Sequence, residues 1–198
     1  EAKKKAIILS DIRKETGKKM STTIGKEMAD LGLRKNGFRA DIKEVPLNSE
    51  GIDQVSFYVA LNQGLGEAEL SKAASGGEAS RLMLSLKVVL NALDPYDLLV
   101  FDEVDTGVSG KTASLVAHKI KSLTSSSQVL VISHLPQVVS SATSAILIAK
   151  KTSEGKTITK AASLDEKSFV EASAKMLTGD KGADSAIKAA EDVRAEYR

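Results

Sequence analysis

Apolar side chains between residues 2 and 33 fall at Ile8, Ile12, Met20, Ile24, Met28 and Leu31, mostly three, four or eight apart, with lysines and acids between them. That stripe predicts one long amphipathic helix with a narrow apolar seam, as at the end of a coiled coil. Gly32 and the Asn36-Gly37 pair stop it. The period then changes. Phe38, Ala40 and Ile42 alternate with Arg39, Asp41 and Lys43, and a second run from Gln54 to Leu61 carries Val55, Phe57, Tyr58, Val59 and Leu61. With Pro46 and Gly51 between them, the two runs predict an antiparallel pair. Asn62 to Glu69, with Gly64 and Gly66, reads as a loop.

From Gly76 to Ala92 the pattern is helical again, with Leu82, Leu86, Val89, Leu90 and Leu93 on one face and Pro95 as the stop. Leu98-Leu99-Val100-Phe101 follows, and four apolar residues in a row predict a parallel strand buried on both faces. Next come a helix over 109–123 (Ala113, Val116, Ile120 and Leu123 inward), a strand from Gln128 to Ile132 and a short helix from Pro136. Ala145 to Ala149 and Thr157 to Ala161 make a hairpin around Ser153-Glu154-Gly155-Lys156, and helices over 165–177 and 183–196 close the chain. Strand–helix–strand alternation with apolar strands predicts an α/β fold with a parallel core. The expected division is 1–35 as a coiled-coil end and 36–198 as a single lobe.

Bulk numbers narrow the field a little. A chain of 198 residues suits one ordinary domain with an appendage, and 42% hydrophobic with 27% charged residues is normal for a globular protein. The net charge of +2 selects no partner. Lys3-Lys4-Lys5, Arg13-Lys14, Lys18-Lys19 and Arg34-Lys35 nevertheless make the opening basic, which is either a nucleic-acid contact or the solvated face of a helix. Without cysteine there is no disulfide and no thiolate metal site. No apolar run approaches the ~20 residues of a membrane span, and no secretory signal opens the chain. Glu1 rather than Met opens it, as expected of a piece cut from something longer.

Candidate chemistry sits where the apolar strands end. Asp102-Glu103 follows the first strand and Ser133-His134 the second, and ligands of open parallel sheets bind outside the carboxyl ends of strands. Acids there are placed to hold magnesium and orient a water. Ser75-Gly76-Gly77-Glu78 opens a helix. It reads as a capping box or as a phosphate site, because paired glycines let an anion approach exposed N–H groups at the positive end of the helix dipole. His118, on a helix, reads as structural. Gly110-Lys111-Thr112 imitates the end of a phosphate-binding loop, but the glycine required five positions earlier is Asp105. The motif Gly-x-x-x-x-Gly-Lys-[Ser/Thr] occurs nowhere in the sequence.

Leu70 to Arg81 resembles the signature motif of ABC-type ATPases, with Glu78 where transporters usually have Gln. Leu99 to Gly110 resembles the Walker B motif and the D-loop, and Val131 to Val138 the switch-histidine segment. Three motifs in this order resemble the C-terminal lobe of an SMC-like ATPase head. One departure is Gly107-Val108-Ser109, where most relatives end the D-loop in Ala-Leu-Asp.

The resemblance implies an ATP-dependent, SMC-like protein of DNA double-strand-break repair and recombination, cytoplasmic and associated with the nucleoid, or else the head of another SMC-type chromosome or repair ATPase. It implies ATP and Mg²⁺ as cofactors, with the Walker A motif on an N-terminal lobe outside this chain. Asp102 would hold the metal through water, Glu103 would activate the attacking water and His134 would contact the γ-phosphate. Ser75, Gly76, Gly77 and Glu78 would reach the γ-phosphate of an opposing head, and Ser109 would serve the D-loop. Implied partners are the Walker A lobe, a second head in an ATP-dependent homodimer, and DNA, with no membrane. This chain alone is expected to be inactive.

Overall fold

The computed structural model describes residues 1–62, 64, 66–72, 76–91, 93, 96–153, 156–179 and 184–197. Helix α1 spans Ala2–Asp30 and ends at Leu31, where Gly32 adopts a positive φ of 74°. It lies on an antiparallel pair, β1 (Phe38–Asn48) with β2 (Gly51–Val59), in which Phe38 faces Val59 and Ile42 faces Val55. The short strand β3 (Ala68–Glu69) adds to β2, and a 3₁₀ turn follows over Leu70–Lys72.

The buried face of α1 differs from the predicted stripe over its first half. Ala6, Ser10 and Gly17 point inward there, while Ile8 and Ile12 are exposed. Close approach to the sheet decides this: a Cβ on Gly17 would lie 3.1 Å from Ile42 Cδ1 and 3.2 Å from Ala40 Cβ. Small residues therefore win the inward face over larger apolar ones. Ile24, Met28 and Leu31 are buried as predicted. Ser10 Oγ donates to the buried carboxylate of Asp53 at 2.8 Å, and Arg13 lies 3.4 Å from the same group, which fixes the rotation of α1.

Helix α2 (Gly77–Leu90) buries Leu82, Leu84 and Leu86, whereas Leu93 is exposed rather than part of the predicted face. Pro95, the predicted stop, lies outside the described residues. Strand β4 (Leu98–Phe101), helix α3 (Gly110–Leu123) and strand β5 (Gln128–Val131) form a right-ordered strand–helix–strand unit whose strands pair in parallel, Leu98 with Gln128 through Phe101 with Val131. Leu99 and Phe101 of β4 meet Val116, Ala117, Ile120 and Leu123 of α3, together with Leu31 and Leu84.

The expectation that this strand is buried on both faces is overturned. Leu98, Val100, Leu130 and Ile132 are 51%, 57%, 51% and 56% exposed. Among the described residues, only one face of the two-stranded sheet meets helices.

Helix α4 (Pro136–Ser141) follows β5, and then the ribbon β6 (Ile146–Ser153) with β7 (Lys156–Ser163), whose turn at 154 and 155 lies outside the described residues. Its Ile146, Ile148 and Ile158 are exposed. The closing helices α5 (Glu166–Thr178) and α6 (Asp184–Ala195) are tied to α4 through Arg194. That guanidinium pairs with both carboxylate oxygens of Glu166 at 2.8 and 3.0 Å, donates to the carbonyls of Ser140 and Ala142, and stacks 3.8 Å from the centre of the Phe169 ring. Among the described residues, no helix is long and apolar enough to cross a membrane.

Candidate nucleotide-site edge

Parallel pairing of β4 and β5 brings their carboxyl ends to one edge, since Ile132 N–H donates to the Phe101 carbonyl at 2.9 Å. Asp102-Glu103 and Ser133-His134 therefore leave the sheet side by side. Asp102 and Glu103 are both exposed. Glu103 also has a φ of 57°, a left-handed conformation that costs a non-glycine residue of order 1–3 kcal/mol and gathers at functional sites.

Asp105, only 2% exposed, binds the two turns together. Its Oδ2 accepts from Ser133 Oγ, from the His134 backbone N–H at 3.0 Å, and faces His134 Nδ1 at 3.3 Å. Ser133 Oγ in turn accepts from Leu135 N–H at 3.1 Å. The His134 ring itself is 75% exposed, so its other nitrogen is turned to solvent.

The start of α2 packs against the same edge. Ser80 Oγ donates to the Asp102 carbonyl at 2.8 Å, and the buried Arg81 donates to the Thr106 carbonyl. Burial pushes the Arg81 guanidinium below its ordinary value, and the charge of Glu78 opposes that shift. The two glycines have separate reasons. A Cβ on Gly77 would lie 2.8 Å from Thr106 Cβ and 2.9 Å from the Glu103 carbonyl, so this position is reserved for packing within the chain. Gly76 is the N-cap, with φ 98° and ψ −162°, a conformation nearly confined to glycine, and nothing lies within 4 Å of where its Cβ would be.

Other predicted residues fall as follows. Glu78 Oε1 accepts from Asn62 Nδ2 at 2.7 Å, so its carboxylate is engaged within the chain. Ser75 lies outside the described residues. Ser109 is the N-cap of α3 but makes no side-chain cap bond. His118 stacks on Tyr197 with centroids 4.7 Å apart, as a structural residue would. Among the described residues no three His, Asp or Glu side chains converge on one point. A lone exposed carboxylate such as Asp102 suits a magnesium ion that keeps most of its waters.

Sequence reasoning missed Asp105 and Asn62 as parts of this edge; there Asp105 is only the residue standing where a phosphate-binding loop needs glycine. The signal available was an acid three residues past Asp102, at the end of one strand, with a serine ending the next.

This arrangement is an α/β one, and the chain belongs to the RecF/RecN/SMC N terminal domain family, which matches residues 5–157. Within that family it is similar to DNA repair protein RecN of Halalkalibacterium halodurans, at 38% identity over 176 residues covering 86% of this chain and 31% of the relative. RecN of Bacillus subtilis is 37% identical over 187 residues, covering 86% of this chain and 32% of the relative. The chain thus spans about a third of the length of these relatives. The fold is like that of an Smc head domain with a coiled coil and joint from Pyrococcus yayanosii, at a TM-score of 0.54 and 18% identity over 84% of this chain and 30% of that one. The matching family is an N terminal domain, so the C-terminal lobe predicted from the motif order is not borne out.

Proposed function

We propose that this chain is the signature- and Walker B-bearing part of the ATPase head of an SMC-like DNA repair protein. One observation carries the reading: a single sheet edge gathers Asp102-Glu103, the Asp105-anchored His134 and the open backbone at Gly76. The bare apolar face of β4 and β5 supports it, because exposed Leu98, Val100, Leu130 and Ile132 suit a sheet continued by another lobe.

In this reading the triphosphate is gripped by a Walker A loop on that other lobe. Asp102 would hold a magnesium ion, which when bound would neutralise charge on the phosphates. Glu103 accepts a proton from the attacking water. His134 presents the exposed edge of its ring toward the γ-phosphate. Ser75 and Gly76 offer hydroxyl and N–H donors to the nucleotide of a second head, so that ATP joins two heads and hydrolysis parts them. Gly77 and Glu78 are engaged within the chain, against Thr106 and Asn62. Phosphoryl transfer depends on positioning and charge stabilisation, which tolerates dividing these groups between lobes. α1 serves as the root of a coiled coil, residues 1–35, and 36–198 as the lobe proper.

The test is Glu103→Gln in a head completed by a Walker A-bearing lobe. Turnover should fall by ~10²–10⁴ as a general base is lost, while ATP-dependent pairing of heads persists. Equal turnover in variant and parent removes Glu103 from this role. Ser75→Arg should block pairing and spare nucleotide binding to one head, and this chain by itself should barely bind ATP.

A further inference from the structure

We propose that Asp105 is the positioning residue for His134, fixing its Nδ1 as the protonated nitrogen and Nε2 as the one presented outward; the use of that nitrogen in catalysis rests on the reading above. Three groups converge on one oxygen of this carboxylate: Ser133 Oγ, the His134 backbone N–H at 3.0 Å and His134 Nδ1 at 3.3 Å. The carboxylate is buried, whereas the imidazole stands 75% exposed above it. An unprotonated Nδ1 would set a lone pair against a buried anion, so the ring keeps a proton on that side. A carboxylate behind Nδ1 holds the ring in one orientation, with Nδ1–H toward Asp105. The face toward ligand is then Nε2. Because Asp105 lies in the turn after Glu103, one buried group sets the spacing between the water-activating carboxylate and the phosphate-facing imidazole.

Histidine ring ¹⁵N shifts on this chain read the tautomer directly, and the sequence holds only two histidines, so His118→Asn assigns the signals. His134 should carry its neutral-form proton on Nδ1, against the Nε2–H form that dominates in free histidine. An Nε2–H signal in the parent protein overturns the proposal. Asp105→Ala should revert His134 to Nε2–H, and retention of Nδ1–H there also overturns it. Asp105→Asn should keep Nδ1–H, because the backbone N–H of His134 forces the amide oxygen into the same place. Ser133→Ala, which leaves the carboxylate in position, should likewise keep it, and its loss would give the role to Ser133. Should Asp105→Ala fail to fold, the parent, Asn and Ser133 spectra still decide. An Nδ1–H signature with unimpaired turnover in His134→Ala would sink the ATPase role of His134 and leave the Asp105 assignment standing.

Discussion

The two small sheets of this protein are built alike on one side and differently on the other. β1 and β2 turn Phe38, Ala40 and Ile42 toward α1, and their outer face is polar: Arg39 lies 4.7 Å over the Tyr58 ring and pairs with Glu67 and Asp41. β4 and β5 turn Leu99 and Phe101 toward α3, but their outer face is Leu98, Val100, Leu130 and Ile132, all more than half exposed. One sheet alternates as a sheet facing water must, and the other carries apolar residues on both sides, as in parallel sheets covered twice. The first is finished within the chain. The second is finished on one face only, and the edge with the candidate chemistry belongs to the unfinished sheet.

The inner faces should behave alike. Phe101→Ala is expected to cost about 3–5 kcal/mol and Met28→Ala about 2–5 kcal/mol, since both remove buried side chains from packed clusters. Urea unfolding measures both. A loss below about 1 kcal/mol for Phe101→Ala would mean that α3 does not pack on β4. Next in size is Gly77→Ala, where the new methyl meets Thr106 and the Glu103 carbonyl; overpacking should cost about 1–3 kcal/mol and disturb the edge that the finished unit shares with the unfinished one.

Lys119 offers a smaller, pH-dependent comparison. It bridges α3 to the end of α1, 2.7 Å from Glu27 and 3.2 Å from Asp30. Burial acts to lower its pKa, but the bonds and charges of the two carboxylates outweigh it and raise the value. A raised folded-state pKa means the contribution is complete below the unfolded value of about 10.4 and fades as pH climbs through the folded one. Lys119→Met should therefore lose about 1 kcal/mol at neutral pH, the upper end for a surface pair, and flatten the decline in stability above pH ~10.4. An unchanged alkaline limb would remove the bridge between the two units. Arg39→Ala, which strips the polar outer face of the finished sheet, should cost about 0.5–1 kcal/mol through loss of the contact with Tyr58.

How much of this was readable beforehand depends on whether the partner of a residue is local. The inward set of α3 and the antiparallel β1–β2 pairing follow from spacing alone, and both appear as expected. The inward face of α1 does not, because Ala6, Ser10 and Gly17 are chosen by the closeness of a sheet whose position the helix sequence does not contain. The apolar run at Leu98 to Phe101 announces two covered faces, and the described residues cover one of them. At the site, Asp102, Glu103 and His134 were visible as strand-end residues, and the edge holds them together. Asp105 was hidden because its partners, Ser133 and His134, stand 28 and 29 residues away. The bond between Glu78 and Asn62 is hidden for the same reason, since 16 residues separate the two.

The smallest expected effect separates the two sheets most sharply. Val100→Thr exchanges side chains of nearly equal shape at a position 57% exposed, and Thr is a good strand former, so this chain should change by less than about 0.5 kcal/mol. Leu130, 51% exposed on the neighbouring strand, should tolerate Thr almost as well. In a head completed by the Walker A-bearing lobe, the same hydroxyl at 100 would be taken out of water without a partner, which costs about 1–3 kcal/mol. The measurement is therefore a difference between contexts: negligible loss here, and a clear loss of lobe association there. Were the substitution equally harmless in both, the outer face of β4 would be bare in the assembled protein too, and the contrast between a finished and an unfinished sheet would no longer point to a second lobe.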